Sequence, residues 1–310
     1  PMTPGRPGAQ DAHPEVPIMY SRKTHHYTKR PRTAWLMLSA LALLTGLAQA
    51  AADVRTEYSN GSLRAPEIYA GEGFHSIGLI NESENSVVFS VYRLHDGTDL
   101  AAFEKTDAAL QSALQTDDSV PAMKAFMAQA DALSGTVVAA HSETDMFVDL
   151  EEGTYVVSAN LDGDDAGAPT YTSFMVTEGG DQGTAPEVAN VVHFSDFAFD
   201  FPATVAAGKD LWEVTNTGDQ PHIAAFFKLQ PGKTTADLEA FLGGAAGEET
   251  PPPFDTSVDV NVEALTPGVT VYLPLDFTSG DWVAVCFVPD LNNPTMAHYM
   301  EGMVEEFVVN

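Results

Sequence analysis

Hydrophobic and polar residues alternate along several short stretches of this chain, and turn-forming residues separate these stretches. Alternation with a period of two is typical of strands that bury one face, and short apolar runs are typical of strands buried on both faces. The clearest examples are HFSDFAFDF (193–201), LWEVTN (211–216), VTVYLPLDF (269–277) and WVAVCFV (282–288). Many short strands of this kind predict an all-β fold built as a sandwich or a barrel.

The pattern occurs twice along the chain, with a period of roughly 130 residues. Residues 70–103 and 207–241 both lead from a glycine through two strands, joined at an asparagine and a polar turn, to a helix start. The ends of the copies also correspond, 148–164 with 275–290. We predict two tandem domains, residues 51–178 and 190–310, joined by a Gly-, Pro- and acid-rich linker at 179–189. The aligned pairs are Asn81 with Asn216, Leu94 with Leu229, Gly97 with Gly232, Gly153 with Gly280, Tyr155 with Trp282 and Ala159 with Cys286.

The first copy carries an insertion over about residues 105–135 with apolar positions at helical spacing. Asp107 is predicted to cap a first helix, and a second helix is predicted to follow Pro121. We interpret the Met and aromatic stripe of the second helix as packing rather than as a set of copper ligands. The apolar positions are Ala108, Leu110 and Leu114 in the first helix and Met123, Phe126, Met127 and Ala130 in the second.

The first 50 residues have the composition of an export signal. Residues 22–32 are basic, residues 34–47 form an apolar run, and Ala48-Gln49-Ala50 supplies small residues for cleavage. Met19 would open a conventional signal peptide, and the residues before it read as a leader. We predict a leader and signal peptide over residues 1–50 and a periplasmic or secreted mature protein. An uncleaved membrane anchor is the alternative, although the apolar run is short for a membrane span.

The charge of the chain narrows the choice of partners. It has 44 acidic and 14 basic residues, and six of the basic but only two of the acidic residues lie in the first 50. So acidic a surface repels nucleic acid and anionic lipid headgroups. It predicts a partner with a basic surface, or life in a high-salt medium; no oligomeric state follows from it.

The C-terminal segment holds the candidate chemistry. Cys286, the single cysteine, lies in the strand WVAVCFV and is followed by His298 and Met303, while His222 lies farther upstream after the turn TGDQP. A strand cysteine alone is more often a small core residue, and a lone histidine is more often on the surface. Two His and one Cys with a weak axial Met, however, form the ligand pattern of an electron-transfer copper site. The four residues together therefore favour copper.

The second copy resembles the cupredoxins, the family of small blue copper proteins. The resemblance extends over residues 190–310 and, in a degenerate form, over the first copy. It implies two tandem cupredoxin-like Greek-key β-sandwiches and one copper ion bound by His222, Cys286 and His298, with Met303 as the weak axial ligand. It also implies a carrier of single electrons that cycles between Cu(I) and Cu(II). The residues that carry it are Asn216, Pro221-His222, Gly280-Asp281-Trp282, Cys286, His298, Gly302-Met303 and the opening FAFDFP (197–202) followed by Gly208.

The loop between Cys286 and His298 has eleven intervening residues. This is longer than the corresponding loop of plastocyanin or azurin. The loop therefore leaves Met296 and Met300 open as alternative axial ligands beside Met303.

The first copy lacks the ligand set, since Val87 and Ala159 align with His222 and Cys286. After residue 50 there is no His-x-His pair, and one cysteine cannot build a dinuclear centre with two bridging cysteines. We therefore expect an electron carrier and not an oxidase or reductase. A copper storage or delivery protein and a metal-free envelope module are the alternatives. His75, His95 and His141 are interpreted as surface or turn residues, and His193 as a structural or exposed residue.

Overall fold

The computed structural model describes residues 53–114, 116, 119–162, 167–244 and 250–310. The predicted leader and signal peptide lie outside the described residues. No helix among the residues that are described is both long and apolar enough to cross a membrane.

The described residues form mostly strands, and the two repeats have matching element orders. The first repeat contains β1 (Val54–Ser59), β2 (Ser62–Arg64), β3 (Ile68–Ala70), β4 (Gly73–Asn81), β5 (Val87–Leu94), α1 (Leu100–Ala113), α2 (Val120–Met127), β6 (Ala130–Val138), β7 (Ser142–Leu150), β8 (Gly153–Leu161) and β9 (Thr170–Thr177). The second contains β10 (Asn190–Ser195), β11 (Ala198–Asp200), β12 (Thr204–Val205), β13 (Gly208–Asn216), β14 (His222–Lys228), α3 (Thr235–Leu242), β15 (Val260–Leu265), β16 (Thr270–Phe277), β17 (Gly280–Val285), a 3₁₀ turn (His298–Glu301) and β18 (Val304–Val309).

Two sheets run through both repeats. Among the described residues one sheet has the strand order β11-β10-β13-β16-β7-β4-β1-β2, and the other has β12-β18-β17-β14-β15-β6-β5-β8-β9-β3. The repeats join within each sheet, where β16 pairs with β7 and β15 pairs with β6. The prediction of an all-β fold with two tandem sandwich repeats and a helical insertion in the first is confirmed. The proposed domain boundaries stay predictions, and residues 178–189 between the repeats form neither strand nor helix.

The core lies between the two sheets, because the inward positions of their strands are apolar. In β13 the alternate residues Trp212 and Val214 are buried, and Phe201 stacks on the Trp212 ring with the ring centroids 5.0 Å apart. Phe307 packs on Phe201 from the opposite sheet, at 4.2 Å between centroids. This aromatic packing joins the two sheets in the second repeat.

The two copies also share individual side-chain hydrogen bonds. Asn81 and Asn216 end β4 and β13, and both side chains are buried. In each copy the side-chain amide bridges the following turn and the neighbouring strand, and its oxygen accepts from a backbone N–H two residues ahead at 2.9 Å. The amide nitrogen donates to Asn85 O (2.7 Å) and Val138 O (2.9 Å) in the first copy, and to Gln220 O (2.8 Å) and Leu265 O (2.9 Å) in the second.

The helical insertion corrects one predicted cap. Helix α1 begins at Leu100, and the side chain of Asp99 caps it by accepting from the Ala102 N–H at 2.8 Å. Asp107 lies inside the helix, where it is buried and accepts a hydrogen bond from the Tyr171 hydroxyl at 2.6 Å. Burial raises the pKa of Asp107. The prediction that Asp107 starts the helix is therefore wrong, because the helix begins about two turns earlier, where Asp99 caps it.

The second predicted helix is present as α2, with Pro121 in its first turn. Met123 and Phe126 are buried, and the Phe126 ring contacts the rings of Tyr92 and Phe103. This packing agrees with the interpretation of the stripe as core.

One histidine interpretation is wrong. His75 is 5% exposed within β4, an inner strand flanked by β1 and β7. Its Nδ1 lies 2.9 Å from the Tyr69 hydroxyl and 3.4 Å from Asp53 Oδ2, so tertiary partners satisfy the buried ring. The side chains of His95 and His141 are 38% and 55% exposed.

Candidate metal centre

His222 is the first residue of β14, and the turn that precedes it is held from several sides. Asn216 binds the Gln220 carbonyl inside this turn, and Asp196 accepts from the Gln220 N–H at 3.2 Å. The pairing of β14 with β15 has an irregularity between His222 and Ala224. His222 is fully buried at this position, so its ring cannot be hydrated and needs partners inside the protein.

Cys286 follows directly after β17, and the long loop that begins there is folded back on itself. Pro289 and Ala297 form an antiparallel bridge. The His298 N–H donates to the Val288 carbonyl at 2.9 Å, and the Tyr299 N–H donates to the Cys286 carbonyl at 2.9 Å. The bridge thus returns His298 to the level of Cys286, and the excess length protrudes as a turn that leaves the ligand positions adjacent.

Three of the four predicted ligands meet in space. The Nδ1 atoms of His222 and His298 lie 3.0 Å apart, and Cys286 Sγ lies 3.9 Å from the first and 3.5 Å from the second. All three side chains are fully buried. A triangle with these sides has a circumscribed radius of about 2.0 Å, close to the metal–nitrogen and metal–sulfur bond lengths of about 2.0–2.3 Å known for protein zinc sites.

The three donor residues, His222, Cys286 and His298, fit copper. A thiolate and two imidazoles suit copper, and a trigonal His₂Cys arrangement is the strong-ligand set of a type 1 copper site. The three donor atoms on this triangle fit one such ion. Within the described part of the chain, these three residues form the one group of His, Cys and acidic side chains close enough to hold a metal.

Burial keeps the three ligand side chains uncharged in the metal-free protein. Burial, and then the neighbouring His222, lower the pKa of His298 to about 4. Burial also lowers the pKa of His222, and Asp196 partly offsets this effect. Burial raises the pKa of the Cys286 thiol to about 12, although backbone hydrogen bonds from Ile223 and Val288 favour the thiolate. At pH 7 the cysteine thus carries a proton and the imidazoles are neutral.

These pKa values predict proton release on metal binding. The thiol must lose its proton to become a ligand, whereas both imidazoles are already neutral. We expect one proton to be released per Cu(II) bound at pH 7, and the apparent affinity to fall about tenfold for each unit by which the pH is lowered from 9 to 7. Calorimetric titration in buffers of different ionisation enthalpy measures this number. Release of no proton, or of two, would show that the protonation states are wrong.

Met303 is fully buried, and its main chain is tied to both C-terminal ligands. Its carbonyl accepts from the Cys286 N–H at 3.2 Å, and its N–H donates to the His298 carbonyl at 3.0 Å. Met300 is 37% exposed and Met296 is partly exposed. Burial at the site favours Met303 over its two rivals, and its role as axial ligand stays a prediction.

Two residues that contact the histidine ligands were assigned no such role from the sequence, Asp196 and Phe197. Asp196 Oδ1 lies 3.1 Å from His222 Nε2, and the Phe197 ring stands at 89° to the His298 ring with 5.2 Å between centroids. Both belong to the tip of the β10–β11 hairpin. The repeat held a signal for them, because the aligned tip of the first copy has a different composition. His298 Nε2 is buried and has no hydrogen-bond partner among the described residues.

No protein-family model matches the sequence, and no curated protein matches it. Solved structures similar to this chain include cupredoxins and multicopper oxidases. They include an auracyanin from Roseiflexus castenholzii (21% identity, covering 39% of this chain and 94% of that one, TM-score 0.25). Auracyanin A from Chloroflexus aurantiacus, described as a "blue" copper protein, has 18% identity, coverage of 39% and 99%, and a TM-score of 0.24. A multicopper oxidase has 15% identity, coverage of 83% and 88%, and a TM-score of 0.23. With TM-scores this low, the similarities assign neither family nor function, and the interpretation of the site rests on its own donor atoms.

Proposed function

We propose that the protein is an exported type 1 copper protein that carries single electrons between redox partners. The observation that carries this proposal is the buried triangle of His222 Nδ1, His298 Nδ1 and Cys286 Sγ. Copper, when bound, supplies a one-electron couple between Cu(I) and Cu(II). Everything else that such a carrier needs has to come from the protein.

The chain's own contribution is a rigid and dry ligand cage. His222 is fixed by β14 and its braced turn, and Cys286 by the end of β17. The bridge in the loop and the main-chain bonds of Met303 fix His298 relative to Cys286. Complete burial excludes water as an extra ligand. A site held in this way changes little between two oxidation states, which favours fast electron transfer.

An electron carrier is proposed rather than an oxidase. The sequence after residue 50 has no His-x-His pair, the usual source of ligands for a further copper centre. Export and a basic partner are part of the same proposal. They rest on the signal-like N-terminal composition and on the excess of acidic residues, which would attract a cationic redox protein.

Copper storage or delivery is a second candidate, and one observation favours it. His298 is fully buried, with its outer Nε2 enclosed and the Phe197 ring beside it. No imidazole edge is exposed for direct contact with a partner. Such an enclosed site would suit a protein that holds copper as cargo.

Electrochemistry distinguishes the two candidates. For a carrier we expect a reversible one-electron couple and fast reduction by a basic redox protein, with a rate that falls as ionic strength rises because salt screens the attraction. A storage protein would hold copper tightly but exchange electrons slowly. A rate that is slow and indifferent to salt would reject the carrier with an acidic docking surface.

A further inference from the structure

The tip of the β10–β11 hairpin braces the first histidine ligand. Asp196 Oδ1 lies 3.1 Å from His222 Nε2, and the same oxygen accepts from the backbone N–H groups of Asp219 at 3.0 Å and Gln220 at 3.2 Å. The Asp196 side chain is 30% exposed, whereas His222 is fully buried. One carboxylate oxygen therefore ties together the hairpin, the turn before β14 and a predicted metal ligand.

The first repeat shows the same hairpin without a metal centre. There Asn60 and Gly61 occupy the positions of Asp196 and Phe197, and Asn-Gly is a preferred sequence for a two-residue hairpin turn. Asn60 is exposed, and its amide donates to the adjacent Ser59 hydroxyl. The equivalence follows from the register, in which Ser59 pairs with Ser62 and Ser195 pairs with Ala198.

In the second copy, Asp196-Phe197 replaces the favourable Asn-Gly turn sequence, and Phe197 adopts a strained backbone conformation. Phe197 has a φ of 64°, close to the 74° of Gly61. A bulky residue in the left-handed region is uncommon, and such strain is concentrated at functional sites. The departure places the Phe197 ring against the ring of His298, so the hairpin tip contacts both histidine ligands.

Gly218 is a third position at which the second copy differs from the first and favours the contact between Asp196 and His222. A Cβ atom on Gly218 would lie 2.4 Å from Asp196 Oδ1 and 2.8 Å from His222 Nε2, so only glycine leaves room for this contact. The equivalent residue of the first copy, two positions after Asn81, is Ser83. The copy with the ligands thus carries the residues that the Asp196–His222 contact requires.

The contact decides which nitrogen of His222 faces the site. A carboxylate only accepts hydrogen bonds, so the His222 hydrogen is on Nε2 and the lone pair is on Nδ1. The Nδ1 atoms of His222 and His298 are 3.0 Å apart and share one hydrogen in the metal-free protein. Since His222 Nδ1 can only accept, His298 Nδ1 donates. The network therefore assigns opposite tautomers to the two rings.

We propose that Asp196 is a positioning residue of the metal centre, which holds His222 as the Nε2–H tautomer with Nδ1 free for a metal. Carboxylates that orient a ligating histidine in this way commonly tune metal affinity. The proposal rests on the proposed copper site, but its first test needs no copper.

Ring ¹H–¹⁵N NMR spectra of the metal-free protein at pH 7 provide this test. In the wild type we expect His222 as the Nε2–H tautomer and His298 as the Nδ1–H tautomer. Asp196→Ala is expected to convert His222 to a mixture of tautomers, and the matched control Asn60→Ala should leave both rings unchanged. A pure Nε2–H tautomer of His222 in Asp196→Ala would overturn the proposal.

Cu(I) affinity, measured by competition with a chromogenic chelator, is the second readout. Asp196→Ala should weaken binding by about 10–100-fold, as removal of an outer-shell partner typically does. Asp196→Asn keeps the size and one acceptor oxygen and should weaken it less, and it replaces the alanine variant in both measurements if that variant does not fold. Unchanged affinity in both aspartate variants would overturn the proposal. If the wild type binds copper without the spectrum of a blue site while Asp196→Ala still shifts the tautomer, the proposed function fails and the positioning role stands.

Discussion

Cys286→Ala is expected to lower the affinity for Cu(I) by more than about 100-fold, because loss of a mere outer-shell partner already costs about 10–100-fold. The variant removes the only thiolate of the site and leaves two neutral imidazoles. These lack the negative charge and the softness of the thiolate, which favour Cu(I). Competition against a chromogenic Cu(I) chelator measures the change.

The repeat provides the control for this variant. Ala159 occupies the position of Cys286 in the first copy and is buried there, so the strand accepts alanine at this point. We therefore expect Cys286→Ala to fold and to lose only about 1 kcal/mol of stability in the metal-free protein, the scale of deleting one small buried group. Retention of wild-type Cu(I) affinity by the folded variant would remove Cys286 from the ligand set.

Asn216→Ala and Asn81→Ala are expected to destabilise the protein to a similar extent but to affect copper differently. Asn216→Ala removes the side-chain partner of two carbonyls and one N–H, and Asn81→Ala that of three carbonyls and one N–H. Each buried group that stays unpaired costs about 1–3 kcal/mol. We expect a loss of roughly 3 kcal/mol in the free energy of unfolding for each variant. Urea unfolding of the metal-free proteins measures this loss.

Only Asn216→Ala should weaken Cu(I) binding, because Asn216 holds the turn that places His222. Asn81 holds the equivalent turn before Val87, which binds nothing. Equal losses of Cu(I) affinity in the two variants would mean that global stability, and not the turn, sets the affinity. Equal and unchanged affinities would mean that the turn is not needed to place His222.

Most of the fold could be predicted because its strands alternate and its two copies share their turn residues. Asn81 and Asn216 make equivalent hydrogen bonds in the two copies, so their alignment in sequence has a direct physical cause. The continuity of the sheets from one repeat to the other was not predictable. It depends on strand pairing between residues far apart in sequence, such as Val271 with Val148, which a local sequence pattern does not predict.

The errors come from tertiary contacts that override local signals. Asp107 has a residue type suited to a cap, yet the hydroxyl of Tyr171, remote in sequence, satisfies it inside the helix. His75 is a polar residue, which favours the surface, yet its contacts with Tyr69 and Asp53 compensate for its burial in β4.

The ligand residues were accessible to sequence analysis, because Cys286, His298 and His222 are absent from the aligned copy. The closure of the long loop was not, since it requires the bridge between Pro289 and Ala297. A further tie comes from the Gln220 side chain, which accepts from the Leu291 N–H at 2.7 Å and joins the loop to the turn before His222. Such contacts bring together segments that no spacing rule relates.

The visible spectrum of the wild-type protein loaded with one equivalent of Cu(II), recorded beside that of Cys286→Ser, tests the central claim most directly. The buried triangle predicts an intense thiolate-to-copper absorption band in the wild type and its absence from the serine variant. A folded wild-type protein that binds one Cu(II) without such a band would contradict a type 1 copper site at His222, Cys286 and His298.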